Sequence, residues 1–168
     1  MQCQFNSGGK EPLIEKEELQ TLIPHQGKML LLSRVIEYDI EHGIRAEYDI
    51  TRNCLFYDPA ADGVPTWAGF ECMAQAISVL SGIRSREKGE KPKLGFILSI
   101  PSMRIKIPLL KPGSSVEVRV EETDCTEMIY TFEGAAFVEG IKVMEGKLMV
   151  MEVSDERFKM LTGGEWPK

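Results

Sequence analysis

The chain contains one long helix-forming stretch at residues 66–88, with the sequence TWAGFECMAQAISVLSGIRSREK. Pro65 precedes it where a helix can begin, and Gly89 follows where one can end. Its first 18 residues are apolar almost all round, which is typical of a helix buried on most sides. Because Glu71 is the only charged residue among them, the stretch predicts a central helix with a single carboxyl group near its start.

Three polar residues of this stretch, Glu71, Gln75 and Ser78, follow one another at spacings of four and three. That spacing places them on one face of a helix. Burying a carboxyl group costs free energy unless the group is paired or used in chemistry. Glu71 is therefore either a general acid or base, or a structural group that binds backbone amides or a cation.

Strand patterns flank the helix on both sides. A short helix is predicted at residues 13–22, a hairpin at 29–38 and 44–50 around the His42–Gly43 turn, and an irregular connection at 51–65. Further strands are predicted at 94–107, 116–123, 128–137 and 142–151, the first interrupted by Pro101. Antiparallel strands around one buried helix give an α+β fold in which a sheet wraps a helix.

The composition fits one globular domain. The chain has 168 residues, is 43% hydrophobic and carries a net charge of −6, and we expect a domain at 11–162 between a loose segment at 1–10 and a tail at 163–168. The net negative charge argues against binding to nucleic acid, which needs a basic surface. No run reaches the roughly 18 apolar residues of a membrane span, and residues 1–10 lack an export signal, which favours a cytoplasmic location.

Metal and cofactor motifs are missing from the sequence. The four cysteines are widely spaced, which predicts reduced, buried thiols and no metal site. No phosphate-binding glycine loop or serine elbow occurs, so no cofactor is predicted. Of the two histidines, His42 lies in a polar turn, whereas His25 precedes an apolar strand and is either a structural hydrogen-bonding group or a base.

Basic residues are concentrated in one part of the chain. Residues 84–111 hold eight basic and two acidic side chains, a net charge of +6, which leaves −12 for the rest. A basic region on an acidic protein suits a phosphorylated or acidic partner, although a solvated helix end has the same pattern. We predict docking of such a partner at four residues near the end of the helix: Arg84, Arg86, Lys88 and Lys91.

Three segments, in order, resemble the hotdog-fold 3-hydroxyacyl-[acyl-carrier-protein] dehydratases. Residues 22–35 are similar to the family's Leu-Pro-His segment before its first strand, and residues 71–76 to the Glu-Ala-Met-Ala-Gln start of its central helix. Residues 104–113 resemble its later Arg-Phe to Pro-Gly turn. More narrowly, the chain resembles the divergent branch of dehydratase-like proteins found with aryl-polyene and related polyketide-type clusters.

The resemblance implies a hotdog fold and a dehydratase activity. Its members pair into dimers with acyl tunnels at the interface, so the expected partners are an acyl thioester on acyl carrier protein and a second hotdog subunit, identical or homologous. Glu71 matches the carboxylate that protonates the leaving hydroxyl, and Gln75 matches the glutamine one turn later. Gln75, Tyr57, Trp67 and Gly69 are the predicted substrate-binding residues.

One departure from the family is large. The family's Gly-His-Phe-Pro histidine lies 14 residues before the carboxylate, and Tyr57 occupies that position here. Either His25 replaces the missing base, or Tyr57 or Asp58 contributes, or the chain does not catalyse dehydration. Three functions therefore remain: a dehydratase with Glu71 as acid and His25 as base, a degenerate subunit that binds acyl chains or pairs with an active dehydratase, and an acyl thioesterase.

Overall fold

A computed structural model describes residues 12–154, 158–160 and 163. In chain order its elements are β1 (Ile14–Glu15), α1 (Lys16–Leu22), a 3-10 turn (Gly27–Met29), β2 (Arg34–Asp39), β3 (Gly43–Asp49), β4 (Val64–Pro65), α2 (Ala68–Glu87), β5 (Leu94–Ile105), β6 (Leu109–Leu110), β7 (Ser115–Thr126), β8 (Ile129–Val138) and β9 (Ile141–Val153).

Seven strands form one antiparallel sheet around the long helix. The strand order is β1-β2-β3-β7-β8-β9-β5, and every neighbouring pair is antiparallel. Helix α2 contacts five of these strands, β3, β7, β8, β9 and β5, so the sheet wraps around it. The predicted α+β hotdog arrangement is confirmed.

Alternation along the central strands creates the core. Ile44, Ala46 and Tyr48 of β3, and the valines at 116, 118 and 120 of β7, are buried toward α2. Helix α2 buries side chains on most of its faces, among them the fully buried Met73 and Leu80. Burying one such side chain stabilises the fold by about 1.5–3 kcal/mol, and this packing makes α2 a rigid support for its polar groups.

Two glycines allow close approaches to α2. A Cβ at Gly82 would lie 2.4 Å from the carbonyl oxygen of Leu22, so only glycine lets α1 pack this tightly on the long helix. A Cβ at Gly134 would lie 2.7 Å from Met73 Sδ, so glycine at this position lets β8 pack closely against the same helix. Since α1 leads directly to His25, the Gly82 contact also fixes where that histidine lies.

A second, two-stranded sheet anchors the start of α2. β4 pairs with β6, and Thr66 N donates to Pro108 O at 3.0 Å. The prediction of an irregular connection at 51–65 missed this pairing, because two residues have no periodicity to detect. The long helix is two residues shorter at its start than predicted, and one residue shorter at its end.

The strand predictions differ from the structure at particular places. Residues 29–33 were predicted as strand, but β2 begins at Arg34, because the 3-10 turn and its clamp to α2 take the preceding residues. Pro101 interrupts β5 as predicted, since it falls in the register shift between Ser99 and Ser102. β5 forms one end of the sheet and pairs only with β9 among the described residues.

Some predictions concern residues outside the described ranges: the segment 1–10, Cys3, and the tail apart from Gly163. Cys54, Cys72 and Cys125 are free thiols. The prediction of buried thiols holds for Cys72, whose pKa burial raises well above its usual value, but it is wrong for Cys125, which is exposed on β7. Within the described ranges, no helix has both the length and the apolar character needed to cross a membrane.

Candidate active site

Glu71 and His25 lie side by side at the start of α2. His25 Nε2 is 3.6 Å from Glu71 Oε1, and the two side chains are 29% and 31% exposed. Glu71 projects from the first turn of the helix, and His25 follows α1 by three residues. A carboxyl group and an imidazole in contact, each partly open to solvent, can donate and accept protons at neighbouring atoms of one substrate.

Gln75 links Glu71 to the segment after His25 through hydrogen bonds. Its Nε2 donates to Glu71 Oε1 at 2.9 Å and to Met29 O at 2.7 Å, while its Oε1 accepts from Leu31 N at 2.9 Å. The amide is fully buried and every one of these bonds is satisfied in a single orientation. Gln75 thus positions Glu71 and ties the segment that follows His25 to the helix.

The segment around His25 is short and tightly turned. Gln26 Nε2 donates to Gln20 O at 3.0 Å, and Gly27 adopts a φ of +56°, a left-handed conformation that glycine tolerates best. His25 Nδ1 is buried, and no described residue gives it a hydrogen-bond partner. The ring is therefore held by packing and by its contact with Glu71.

A cavity of about 240 Å³ opens beside the pair, between α2 and strands β5 and β9. His25 and Glu71 line one end. The walls between the two ends are mostly apolar, with Ile77 and Val150, and carry the hydroxyl group of Ser78. A mostly apolar space next to proton-transferring groups fits an acyl chain attached to a reacting head. A larger groove of about 520 Å³ lies on the outer face of the sheet, away from both residues, and is lined by charges.

Three of the predicted substrate-binding residues do not line this cavity. Tyr57 donates from its hydroxyl to Asp62 Oδ1 at 2.6 Å in the loop before β4. Trp67 is 49% exposed and packs edge-on against Phe56. Gly69 is buried, and its N–H already donates to Thr66 O at 3.0 Å. The assignment of these three residues to the substrate stays a prediction, and Gln75 acts here through Glu71.

The predicted docking residues divide into two pairs. Arg84 Nη1 binds Glu122 at 2.7 Å and its Nε donates to Ile40 O, so it joins α2 to the sheet. Arg86 binds Glu18 of α1 at 2.6 Å. Lys88 and Lys91 are exposed. Docking of a partner at these four residues stays a prediction, for which the two lysines are the freer cations.

The cavity also has a polar end that the sequence analysis did not identify. Ser81, Lys93 and Glu152 lie there, from α2, the approach to β5, and β9. One signal was present: Glu152 is the only charged residue in the apolar run 148–153. In the ranges that the structure describes, no group of three or more His, Cys, Asp and Glu side chains could hold a metal ion.

Comparison with known proteins places the chain in a family. Residues 17–161 match the ApeP-like family, described as ApeP dehydratase. The chain belongs to the ApeP-like dehydratase family. Its curated relatives include the 3-hydroxyacyl-[acyl-carrier-protein] dehydratase FabZ of Bradyrhizobium diazoefficiens, 35% identical over 142 residues that cover 79% of this chain and 87% of the relative. FabZ of Anaeromyxobacter sp. strain K is 28% identical over a region that covers 88% of this chain and 96% of that relative's length.

Solved structures agree with this placement. The dehydratase heterocomplex ApeI:P from Xenorhabdus doucetiae contains a chain with a TM-score of 0.78 and 25% identity, covering 87% of this chain and 97% of that one. The PaaI protein of Escherichia coli has a TM-score of 0.55 at 8% identity, over 70% of this chain and 80% of its own, and shares the fold alone. The family resemblance read from three short segments is thus confirmed along most of the chain.

Proposed function

We propose that this chain removes water from a 3-hydroxyacyl thioester carried by acyl carrier protein, giving the trans-2-enoyl thioester. The observation that carries the proposal is the contact between His25 and Glu71 at the end of an apolar cavity. Elimination requires a base and an acid close together, because the proton and the hydroxyl leave from adjacent carbons. The names of the FabZ relatives support the thioester and its carrier as the substrate.

The proposed reaction assigns one proton transfer to each residue. His25 Nε2 takes a proton from C2, the electron pair forms the C2–C3 double bond, and the C3–O bond breaks as Glu71 gives a proton to the departing hydroxyl. Water leaves, and the two residues return to their starting states when a proton passes from His25 to Glu71 over their 3.6 Å separation. Gln75 keeps Glu71 aimed into the cavity throughout.

The test is turnover by the purified protein. We expect a 3-hydroxyacyl thioester on acyl carrier protein to be converted to its enoyl form, followed by absorbance of the conjugated thioester, with no release of free thiol. Release of thiol without enoyl product would contradict the proposal in favour of a thioesterase. Absence of both products would favour a degenerate subunit, the alternative that Tyr57 in place of the family's histidine supports.

A second hotdog subunit is the proposed partner, and edge strand β5 is where we place it. Both faces of β5 are largely exposed, and apolar side chains that are 36–49% exposed follow one another along residues 97–107: Ile97, Leu98, Ile100, Met103, Ile105 and Ile107. Such an edge needs covering, because among the described residues its outer side has no pairing strand and it also carries an apolar surface. The ApeI:P heterocomplex supports a different hotdog subunit as the partner, and a second copy of this chain is the alternative.

Charge placed on this edge is expected to separate the subunits. We expect Ile100→Glu combined with Met103→Glu to reduce the molar mass measured by light scattering to that of one 18.9 kDa chain, or to prevent capture of the homologous subunit. Ile141→Glu is the matched control, because Ile141 is 69% exposed at the β8–β9 turn. Equal assembly by the wild type and the double variant would refute the placement.

Three further predictions belong with this function. We propose that residues 11–162 act as one hotdog domain, that the reaction uses no cofactor, and that the protein works in the cytoplasm. The first is supported by the continuous seven-stranded sheet, with β1 at one edge and β5 at the other, around α2. The second is supported by the assignment of both proton transfers to His25 and Glu71.

A further inference from the structure

The cavity beside Glu71 ends at a cluster of polar side chains, defined here as Ser81, Lys93 and Glu152. Ser81 Oγ donates to Glu152 Oε1 at 2.5 Å, and Lys93 Nζ is 3.9 Å from Glu152 Oε2. These residues line the same cavity as His25 and Glu71, at its other end. The proposed chemistry uses none of them, so the cluster needs a separate explanation.

The cluster is built from three separate elements and is partly shielded from solvent. The Glu152 side chain is 16% exposed and that of Lys93 is 36% exposed. Tyr130 of β8 borders the small adjoining recess that these residues share, and burial together with the nearby Glu152 raises the pKa of Tyr130 to about 12. Polar groups shielded in this way make stronger hydrogen bonds than they would in water, and cost more when left unpaired.

The charges of the cluster favour some acyl ends over others. Lys93 faces two carboxyl groups, since Glu90 Oε2 is 3.7 Å from its Nζ and Glu152 lies on the other side. Two more cations, Arg84 and Lys88, border the adjoining recess but do not line the cavity itself, and Arg84 is bound to Glu122. At this end, the cation that the structure places on the cavity wall is Lys93, and two carboxyl groups share it, so the wall offers acceptors to a ligand and no unshared positive charge to an anion.

Glu152 retains hydrogen-bonding capacity. A carboxylate has about four acceptor positions, and Ser81 occupies one of them. Lys93 is too distant from Oε2 for a direct hydrogen bond. A methyl group at this end would desolvate these acceptors without replacing their water, whereas a hydroxyl group could donate to them.

We propose that the cavity selects acyl chains whose far end carries a neutral hydrogen-bond donor such as a hydroxyl group, with Glu152 as its acceptor. This inference rests on the proposed function for the position of the thioester at Glu71. Ten residues of helix, from Glu71 to Ser81, span about 15 Å. An extended chain covers that distance in about twelve carbon–carbon bonds at ~1.2 Å per bond.

Equilibrium binding tests the inference without turnover. The probes are three pantetheine amides of 3-hydroxyacyl chains with about twelve carbon–carbon bonds beyond C3, ending in a methyl, a hydroxyl or a carboxylate group, titrated into the purified protein by calorimetry. We expect the hydroxyl-ended amide to bind about tenfold more tightly than the methyl-ended one, and the carboxylate-ended amide to bind most weakly. Equal binding of the first two, tighter binding of the methyl-ended amide, or no binding of any overturns the inference.

Two substitutions locate the effect. Glu152→Leu is expected to remove the preference for the hydroxyl end, and Glu152→Gln, which keeps an acceptor oxygen, to retain most of it. Thermal unfolding of both variants establishes that they are folded, and a preference unchanged in Glu152→Leu overturns the assignment of Glu152. The proposed function fails separately: a protein that shows the binding preference but forms no enoyl thioester contradicts only the proposed dehydration.

Discussion

We expect Glu71→Gln to lower kcat/KM for dehydration of a 3-hydroxyacyl thioester by about 10²–10⁴-fold, the usual contribution of one general acid. Glutamine has nearly the same shape, and its side-chain oxygen can still accept the hydrogen bond that Gln75 Nε2 gives to Glu71 Oε1. The variant loses the exchangeable carboxyl proton while the cavity keeps its form. Initial rates with the carrier-bound substrate measure the effect.

Glu87→Gln provides the matched control for this substitution. Glu87 is the last residue of the same helix, it is exposed, and it does not line the cavity. We expect its rate and its melting temperature to equal those of the wild type. If Glu71→Gln turns over substrate as fast as Glu87→Gln, Glu71 is not the acid and the proposed mechanism is wrong.

His25→Asn is expected to cause a loss of similar size, about 10²–10⁴-fold in kcat/KM, because asparagine cannot take the C2 proton. The two residues act on one substrate in one step, so their effects should not add. We expect kcat/KM of the double variant His25→Asn with Glu71→Gln to lie within a few-fold of that of the less active single variant. Additive losses would instead indicate that His25 acts separately from Glu71.

The chain offers one other histidine as the control for His25→Asn. His42 lies in the turn between β2 and β3, where its Nδ1 is 2.9 Å from Asp39 Oδ2, and it does not line the cavity. His42→Asn is expected to leave the rate of dehydration unchanged. A loss of activity in both variants would point to a general effect on folding, which thermal unfolding detects.

Much of the fold was predictable because its signals are local. Pro65 and Gly89 bracket α2 to within two residues, and the turn at His42–Gly43 locates the β2–β3 hairpin. Alternating valines marked β7 in the same way. The β4–β6 pairing was not predictable, since each strand has two residues and the two lie 45 positions apart.

Spacing along the chain predicted only the part of the site that one helix carries, whereas His25 was paired with Glu71 through the family resemblance. Glu71 and Gln75 share a face of α2, and their spacing revealed this. The approach of His25 to Glu71 and of Glu152 to Ser81 depends on how distant segments pack, which spacing along the chain does not encode. The ion pairs of Arg84 with Glu122 and of Arg86 with Glu18 were not predictable for the same reason, because the partners are remote in sequence.

Edge strand β5 has a consequence for how the protein must be produced. The twelve-residue strand carries five large exposed apolar side chains and can pair with other chains non-specifically while it is uncovered. Assembly and aggregation therefore compete for newly made chains. We therefore expect the isolated chain to aggregate less when the proposed partner subunit is produced together with it and covers β5.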